Sequence, residues 1–163
     1  SNGFESDNDA GGSTNTQVTS AVFSNITIIG PREDGTTDLT GQTFKRGAHI
    51  RRNSAQSIFN SLFVGFPTGL FIDGAASQLN VTNGDLNFKY NTFAGCPKME
   101  KAYDSAFVAN AANNISLLTA TTDAQLTAPY NATTPNAVPA SGSPGFWFFE
   151  DGLCHSSSVF RAP

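Results

Sequence analysis

The chain is predicted to fold as an all-β solenoid, a parallel β-helix of short stacked strands with long loops and one short capping helix. The first observation behind this is an internal repeat. "FSNITIIG" (23–30), "IFNSLFVG" (58–65) and "FKYNTFAG" (88–95) superimpose without gaps at offsets of 35 and 30 residues. Their columns read Phe23, Ile58, Phe88, then Asn25, Asn60, Tyr90, then Ile28, Phe63, Phe93, and last Gly30, Gly65, Gly95. A second, shorter match sets "NGFESD" (2–7) over "TGLFID" (68–73), with Gly3 above Gly69, Phe4 above Leu70 and Asp7 above Asp73. The third observation is the spacing of breakers. Apolar runs of three to five residues end at Gly or Asn, residues that enter left-handed backbone readily. Strands this short cannot form a sandwich, whereas a coil laid on the next coil stacks like residues and buries a face that no single coil buries alone.

Within this scheme residues 2–95 are the coil repeats of a single domain spanning 1–163. Asn25 and Asn60 are read as stacked inward or corner amides that bond to backbone and to each other. Residues 8–20 and 31–47, rich in Gly, Thr, Asp and Asn, read as loops thrown out from one edge of the stack. Met99, Ala102, Tyr103, Ala106 and Phe107 follow helical spacing, which predicts an amphipathic helix over 97–112 with Pro97 near its first turn, packed on the coil or capping it. An open end of a parallel stack exposes unpaired backbone, so a cap is expected. Residues 113–163 show little periodicity and are expected as irregular chain lying on the surface.

Composition narrows the function. Only 13% of the 163 residues are charged, while 15 Asn, 17 Thr and 16 Ser supply most of the polarity. Nine Lys and Arg against 13 Asp and Glu leave a net charge of -4, which offers no general attraction for phosphate backbones or anionic lipid. Nucleic acid is excluded as a partner on that ground, and no apolar run reaches the roughly 18 residues of a membrane helix. The N-terminus "SNGFESDNDAGG" has neither the basic start nor the apolar stretch of a signal peptide, so the chain reads as a mature product or an excised domain. Cys96 and Cys154 show no zinc-binding spacing. They either pair as one disulfide in an oxidising compartment or stand as two small unpaired hydrophobes.

"NGFESDNDAGGSTN", "FSNITIIGP" and above all "AHIRRNSAQSIFNSLFVGFPTGLFIDG" resemble the right-handed parallel β-helix region of large secreted surface proteins of Bacteroidetes, the kind exported by the type IX secretion route. The resemblance runs from residue 2 to about residue 95 and continues weakly through "TPNAVPASGSP". It implies a right-handed coil, an extracellular, cell-surface location, and a family largely without assigned biochemistry. The C-terminal sorting domain usual in such proteins is missing, which implies removal after export or a truncated piece. "GFWFFEDGLCHSSSVFRAP" departs from the family pattern.

No GxSxG, HExxH or phosphate-binding glycine loop is present, and the chain has only His49 and His155. Parallel β-helices include polysaccharide lyases and hydrolases that work on the outer face of the strands, with paired carboxylates or a Lys or Arg base near calcium. The corresponding candidate is "FKRGAHIRR", where His49 and Arg51 share one face and Ile50 takes the other, and Lys45, Arg46, Arg51 and Arg52 complete a basic patch. Its plainer reading is a charged outer face that keeps the stack soluble; its functional reading is binding of anionic glycan. A carboxylate pair opposite Arg51 would favour an enzyme, and the nearest acids in sequence are Glu33, Asp34 and Asp38 on the 31–47 loop.

Glu5, Asp7 and Asp9 followed by glycine resemble the first half of a calcium loop, without its distal bidentate Glu. They are the candidate ligands of a structural calcium, with a solvated acidic turn as the alternative; no other cofactor is expected. "DSA" places Ser105 in a short O-glycosylation acceptor pattern known in Bacteroidetes. Two functions result. One is a non-enzymatic structural or adhesive domain meeting glycans, other surface proteins or copies of itself. The other is a carbohydrate-active enzyme fragment built on the patch around His49.

Overall fold

The structure is a computed structural model that describes residues 2–15, 17–33, 44–131, 147–150 and 153–156. Ten parallel strands wind into three sheets. The first coil carries β1 (Asn2–Ser6), β2 (Val22–Ser24) and β3 (Thr27–Ile29); the second carries β4 (Arg46–Ile50), β5 (Ser57–Phe59) and β6 (Leu62–Val64). The third runs through β7 (Thr68–Ile72), helix α1 (Gly74–Asn83), β8 (Phe88–Lys89) and β9 (Thr92–Ala94). Helix α2 (Ala102–Ala109) and β10 (Ser116–Leu118) belong to a fourth. The sheets order as β1-β4-β7, β2-β5-β8 and β3-β6-β9-β10. A separate antiparallel hairpin joins β11 (Trp147–Glu150) to β12 (Leu153–Ser156).

The register is the one the repeat predicts. Phe23 pairs with Ile58 and Ile58 with Phe88, while Ile28 pairs with Phe63 and Phe63 with Phe93. The shorter match holds as well, since Phe4 pairs with Ala48 and Ala48 with Leu70. β4 is therefore the middle rung of that match, and the loop expected over 31–47 ends before Arg46; residues 34–43 lie outside the described residues.

The core is an aromatic ladder. Phe63, Phe88 and Phe93 are wholly buried, with ring centroids 5.0 Å apart for Phe63 and Phe93 and 5.8 Å for Phe63 and Phe88. Phe4 closes on Phe63 edge-on at 6.3 Å and on Phe23 at 5.2 Å. Rings reach so close to the backbone because a glycine ladder makes room. A Cβ on Gly47 would lie 2.9 Å from the Gly69 carbonyl and 3.2 Å from the Phe63 ring.

The corner before each sheet-three strand explains the Asn column. Asn25, Asn60, Tyr90 and Asn114 all have positive φ, between 47° and 59°. Among the described residues Asn25 and Asn60 make no side-chain hydrogen bond, so the corner position expected of them holds while the inward, mutually bonded amides are corrected: they are present because Asn tolerates left-handed backbone. The buried amide is one position on, at Asn91, which accepts from the Ser61 N–H at 2.9 Å and donates to the Ile58 carbonyl at 2.9 Å.

Two further corrections concern the C-terminal part. Residues 113–124 are not irregular, whereas 125–131 are: Asn114 opens a fourth repeat, with Leu117 paired to Phe93 and Leu118 to Ala94. Residues 132–146, 151–152 and 157–163 lie outside the described residues. The predicted helix is shorter, beginning at Ala102 and followed by a separate 3₁₀ turn at Ala111–Asn113, with Pro97 before it. Its buried side is centred on Asp104 and Val108, with Tyr103 and Phe107 half-buried and Ala102 and Ala106 exposed. The reason is Asp104. This wholly buried carboxylate accepts from the Ile72 N–H at 2.8 Å, an edge donor of β7, and from the Lys101 N–H at 3.0 Å, a free donor at the helix start. One side chain thus caps a helix and a sheet edge.

Replacing Phe63 by Ala should cost about 3 to 5 kcal/mol in denaturant melts, because rings above and below lose their partner. Burial pushes Asp104 up from 3.8 to about 6, against the two N–H bonds that favour its charged form. A carboxyl raised in the folded state stabilises the fold while protonated, and that contribution is lost as pH rises from 3.8 through about 6. The stability advantage of the native chain over Asp104→Asn should therefore shrink between about pH 4 and about pH 7, read by thermal melts across that range.

Candidate functional site

The outer face of the β1-β4-β7 sheet gathers the charged residues of three coils. Glu5, His49 and Phe71 are directly paired across the strands, as are Asn2, Arg46 and Thr68. Beyond the strand ends Asp7, Arg51 and Asp73 follow one another, and four of the basic and acidic candidates, Glu5, Asp7, Arg51 and Arg52, prove to be one cluster. Arg51 Nε donates to Asp7 Oδ1 at 2.6 Å, and its Nη2 reaches Glu5 Oε1 at 2.8 Å. Arg52 Nη1 donates to Asp7 Oδ2 at 3.0 Å. Arg46 forms a two-pronged pair with Glu100 through Nε at 3.1 Å and Nη2 at 2.9 Å. Lys45 is exposed and makes no ion pair among the described residues.

His49 sits within this array with only 4% of its surface exposed. Its ring stacks on Phe71 at 5.0 Å and 13°, and Arg46 lies over the same Phe71 ring at 5.0 Å. Nε2 lies 3.1 Å from Asp73 Oδ2. Burial pulls the imidazole pKa down, more than the Asp73 bond pulls it up, and Arg46 and Arg51 add to the lowering. His49 is therefore neutral at neutral pH, with Nε2–H donating to the carboxylate. Asp73 stands just before α1, yet it makes no side-chain cap there, because it is turned to His49.

The pairs also settle the protonation of the arginine end. Asp7 is lowered from 3.8 first of all by its bond to Arg51, and Arg51 is raised above its ordinary value first of all by its bond to Asp7. A guanidinium held this firmly in its charged form is a poor base. Carboxylates do stand opposite Arg51, and among the described residues they are Glu5 and Asp7. Asp34 and Asp38 lie outside the described residues, and the Glu33 carbonyl accepts from the Thr121 hydroxyl.

Glu5, Asp7 and Asp9 do not converge on a cation. Glu5 and Asp7 face the arginines, while Asp9 accepts from the N–H groups of Gly11 at 2.8 Å and Ser13 at 3.1 Å and from the Ser13 hydroxyl. Among the described residues no three carboxylate, imidazole or thiol groups gather as metal ligands. These residues do not fit a calcium: the oxygens a cation needs are taken by guanidinium and backbone donors.

The remaining candidates lie apart. Among the described side chains Cys96 is a buried thiol without a disulfide partner, and the side chain of Cys154 lies outside them; Cys96 Sγ lies 3.8 Å from the carbonyls of Phe63 and Ala94, and burial pushes its pKa up to about 11. It behaves as the small hydrophobe of the two alternatives. Cys154 is on β12. Ser105 is exposed on α2 with its hydroxyl on the Lys101 carbonyl at 3.3 Å, but the preceding Asp104 is wholly buried, so the acidic member of the acceptor pattern is not open to a modifying enzyme.

Sequence reasoning missed Phe71, Asp73 and Glu100. A signal existed for two of them: extending the short match to "RGAHIR" (46–51) places Arg51 between Asp7 and Asp73 and His49 over Phe71. For Glu100 there was none, since it reaches Arg46 only because residues 98–100 add main-chain bonds to β7, Gly69 N–H to Lys98 and Glu100 N–H to Leu70.

Arg51→Ala should cost at most about 1 kcal/mol at neutral pH, as its partners are partly exposed. It should also flatten the acid limb of the stability curve. A carboxylate with lowered pKa contributes stability above its unfolded value and loses it as pH falls below 3.8, and without Arg51 the Asp7 contribution is diminished. Melts from neutral to acid pH measure both.

Comparison with curated proteins and with solved structures returned no match. Comparison with family models returned one, described as a pectate-lyase-like β-helix domain and matching residues 1–138. With the stacked coils above, this places the chain in the pectate-lyase-like β-helix domain family.

Proposed function

We propose that the chain is a non-enzymatic structural or adhesive domain of an exported cell-surface protein, holding an outer face to glycans, other surface proteins or copies of itself. One observation carries the reading. On the face where a β-helix enzyme would work, the ionic side chains bind each other: Arg46 to Glu100, Arg51 to Glu5 and Asp7, Arg52 to Asp7, His49 to Asp73. Catalysis needs an acid or base free to reach a substrate atom beside a charge-stabilising group. Here the imidazole lies under Phe71 and the guanidinium is locked as a cation.

A second reading has specific support. The carboxylate pair opposite Arg51, the feature expected of an enzyme, is present as Glu5 and Asp7, and with a neutral His49 oriented by Asp73 it supplies the residue types of a polysaccharide-cleaving site. The two readings part in one assay. The purified chain is incubated with uronic-acid and neutral polysaccharides, with and without calcium, and unsaturated and reducing ends are followed. The structural reading expects binding or inertness without new ends. Turnover abolished by His49→Ala or Arg51→Ala overturns it.

A further inference from the structure

A groove of about 540 Å³ lies on another part of the molecule, between the C-terminal end of α1, β8 and the outer side of α2. Its volume is that of a small-molecule site. The buried Leu86 and Phe88 back it, and Tyr103 and Phe107 line it, half-buried, with their rings 6.5 Å apart and within 18° of parallel. Four asparagines line it, at 83, 87, 110 and 113, together with Lys89 and no carboxylate. Among the described residues the side chains of Asn83 and Lys89 and the Tyr103 hydroxyl make no hydrogen bond, while Asn87 donates to the Gly84 carbonyl, Asn110 accepts from the Ala112 N–H and Asn113 donates to the Phe107 carbonyl. Amides offer donor and acceptor side by side, as hydroxyl groups require, and aromatic faces suit an apolar C–H surface.

Tyr90 adds an independent observation. It occupies the left-handed corner that Asn takes at 25, 60 and 114, with φ 59°, yet 53% of its surface is exposed. A bulky residue in that conformation is unfavourable, and an exposed ring gains little packing in return. Its ring does not line the groove, but its backbone adjoins it: Lys89 precedes it, and its N–H donates at 2.9 Å to the carbonyl of Asn113, another lining residue.

We propose that this groove is a saccharide-binding site, taking a short oligosaccharide by ring stacking on Tyr103 and Phe107 in the groove and on Tyr90 beside it, and by hydrogen bonds from Asn83 and Lys89. It rests on the adhesive reading above and gives that reading a location away from the charged face. The ligand is a polyhydroxylated ring with an apolar face; neutral and uronic-acid glycans both present one, and Lys89 favours the latter.

The test uses the intact chain on an array carrying neutral and uronic-acid oligosaccharides, followed by calorimetric titration with the best-retained glycan. Tyr90→Asn restores the residue of the other corners, so it should keep or raise the melting temperature while weakening binding about fivefold or more. Asn83→Ala, at an exposed helix end, should weaken binding without changing the melt. Lys89→Gln should weaken uronic-acid binding alone, in a salt-dependent way. Retained glycan with unchanged affinity in Tyr90→Asn and Asn83→Ala overturns the groove. If Arg51→Ala weakens binding instead, the groove falls while the adhesive reading stands. An array that retains no glycan overturns the groove and leaves the structural reading, whereas cleavage of the glycans overturns the non-enzymatic reading itself.

Discussion

The molecule depends on one constraint: no coil can bury its own apolar face, so every coil must hold its neighbours in register. Phe63 shows how this works. Its ring meets Phe93 in the next coil at 5.0 Å and Phe4 in the previous one at 6.3 Å, and no part of it is exposed. A slip of one residue would turn Phe63 outward and Leu62 inward, losing both contacts. The left-handed corners prevent that slip. Because Asn25, Asn60, Tyr90 and Asn114 bend the chain at the same step, each following strand starts where the last one did.

The same constraint shapes the ends. The first coil leaves Val22 and Phe23 with 67% and 36% of their surface exposed, while Ile58 and Phe88, paired in line with Phe23, are wholly buried. At the other end the chain turns from strand to helix. Residues 98–100 add a last set of main-chain bonds to β7, and Asp104 takes the donor beyond them. A buried carboxylate is a costly acceptor, with its pKa pushed up to about 6. It is used where two backbone N–H groups would otherwise be orphaned, and leaving those buried donors unmet costs more.

Stacking also decides the electrostatics. Residues dozens of positions apart in sequence become nearest neighbours on the outer face, so acidic Glu5 and Asp7 meet basic Arg51 while Asp73 meets His49. A strongly basic segment in the sequence becomes a neutralised surface in the fold. The groove between α1 and α2 differs, because among the described residues Asn83, the Tyr103 hydroxyl and Lys89 have no such partners, whereas Asn87, Asn110 and Asn113 bond to nearby backbone. Among the described residues the charged face, Lys45 apart, is satisfied internally, whereas Asn83 and Lys89 of the groove remain available.

The repeat by itself determined the coil, the strand order and the register, because like residues recur at the positions that stack, and a two-residue period ties each to one face. It also placed His49 and Arg51 on one face and Ile50 on the other. It missed α1, since "GAASQLNVTNG" has scarcely any apolar stripe and is held by Asn80, whose amide donates to Asn53 and Ser54 at 3.1 Å. It missed the fourth coil because Thr119 stands where glycine closes the other repeats and a 3₁₀ turn replaces the second strand. Only the tertiary structure decided that Arg51 and Arg52 meet Glu5 and Asp7, that the Cys96 thiol is buried, and that Asp104 faces inward. Each depends on which side chains from distant coils lie within about 3 Å to 4 Å, a distance that hydrogen bonds and ion pairs require and that spacing along one chain does not encode.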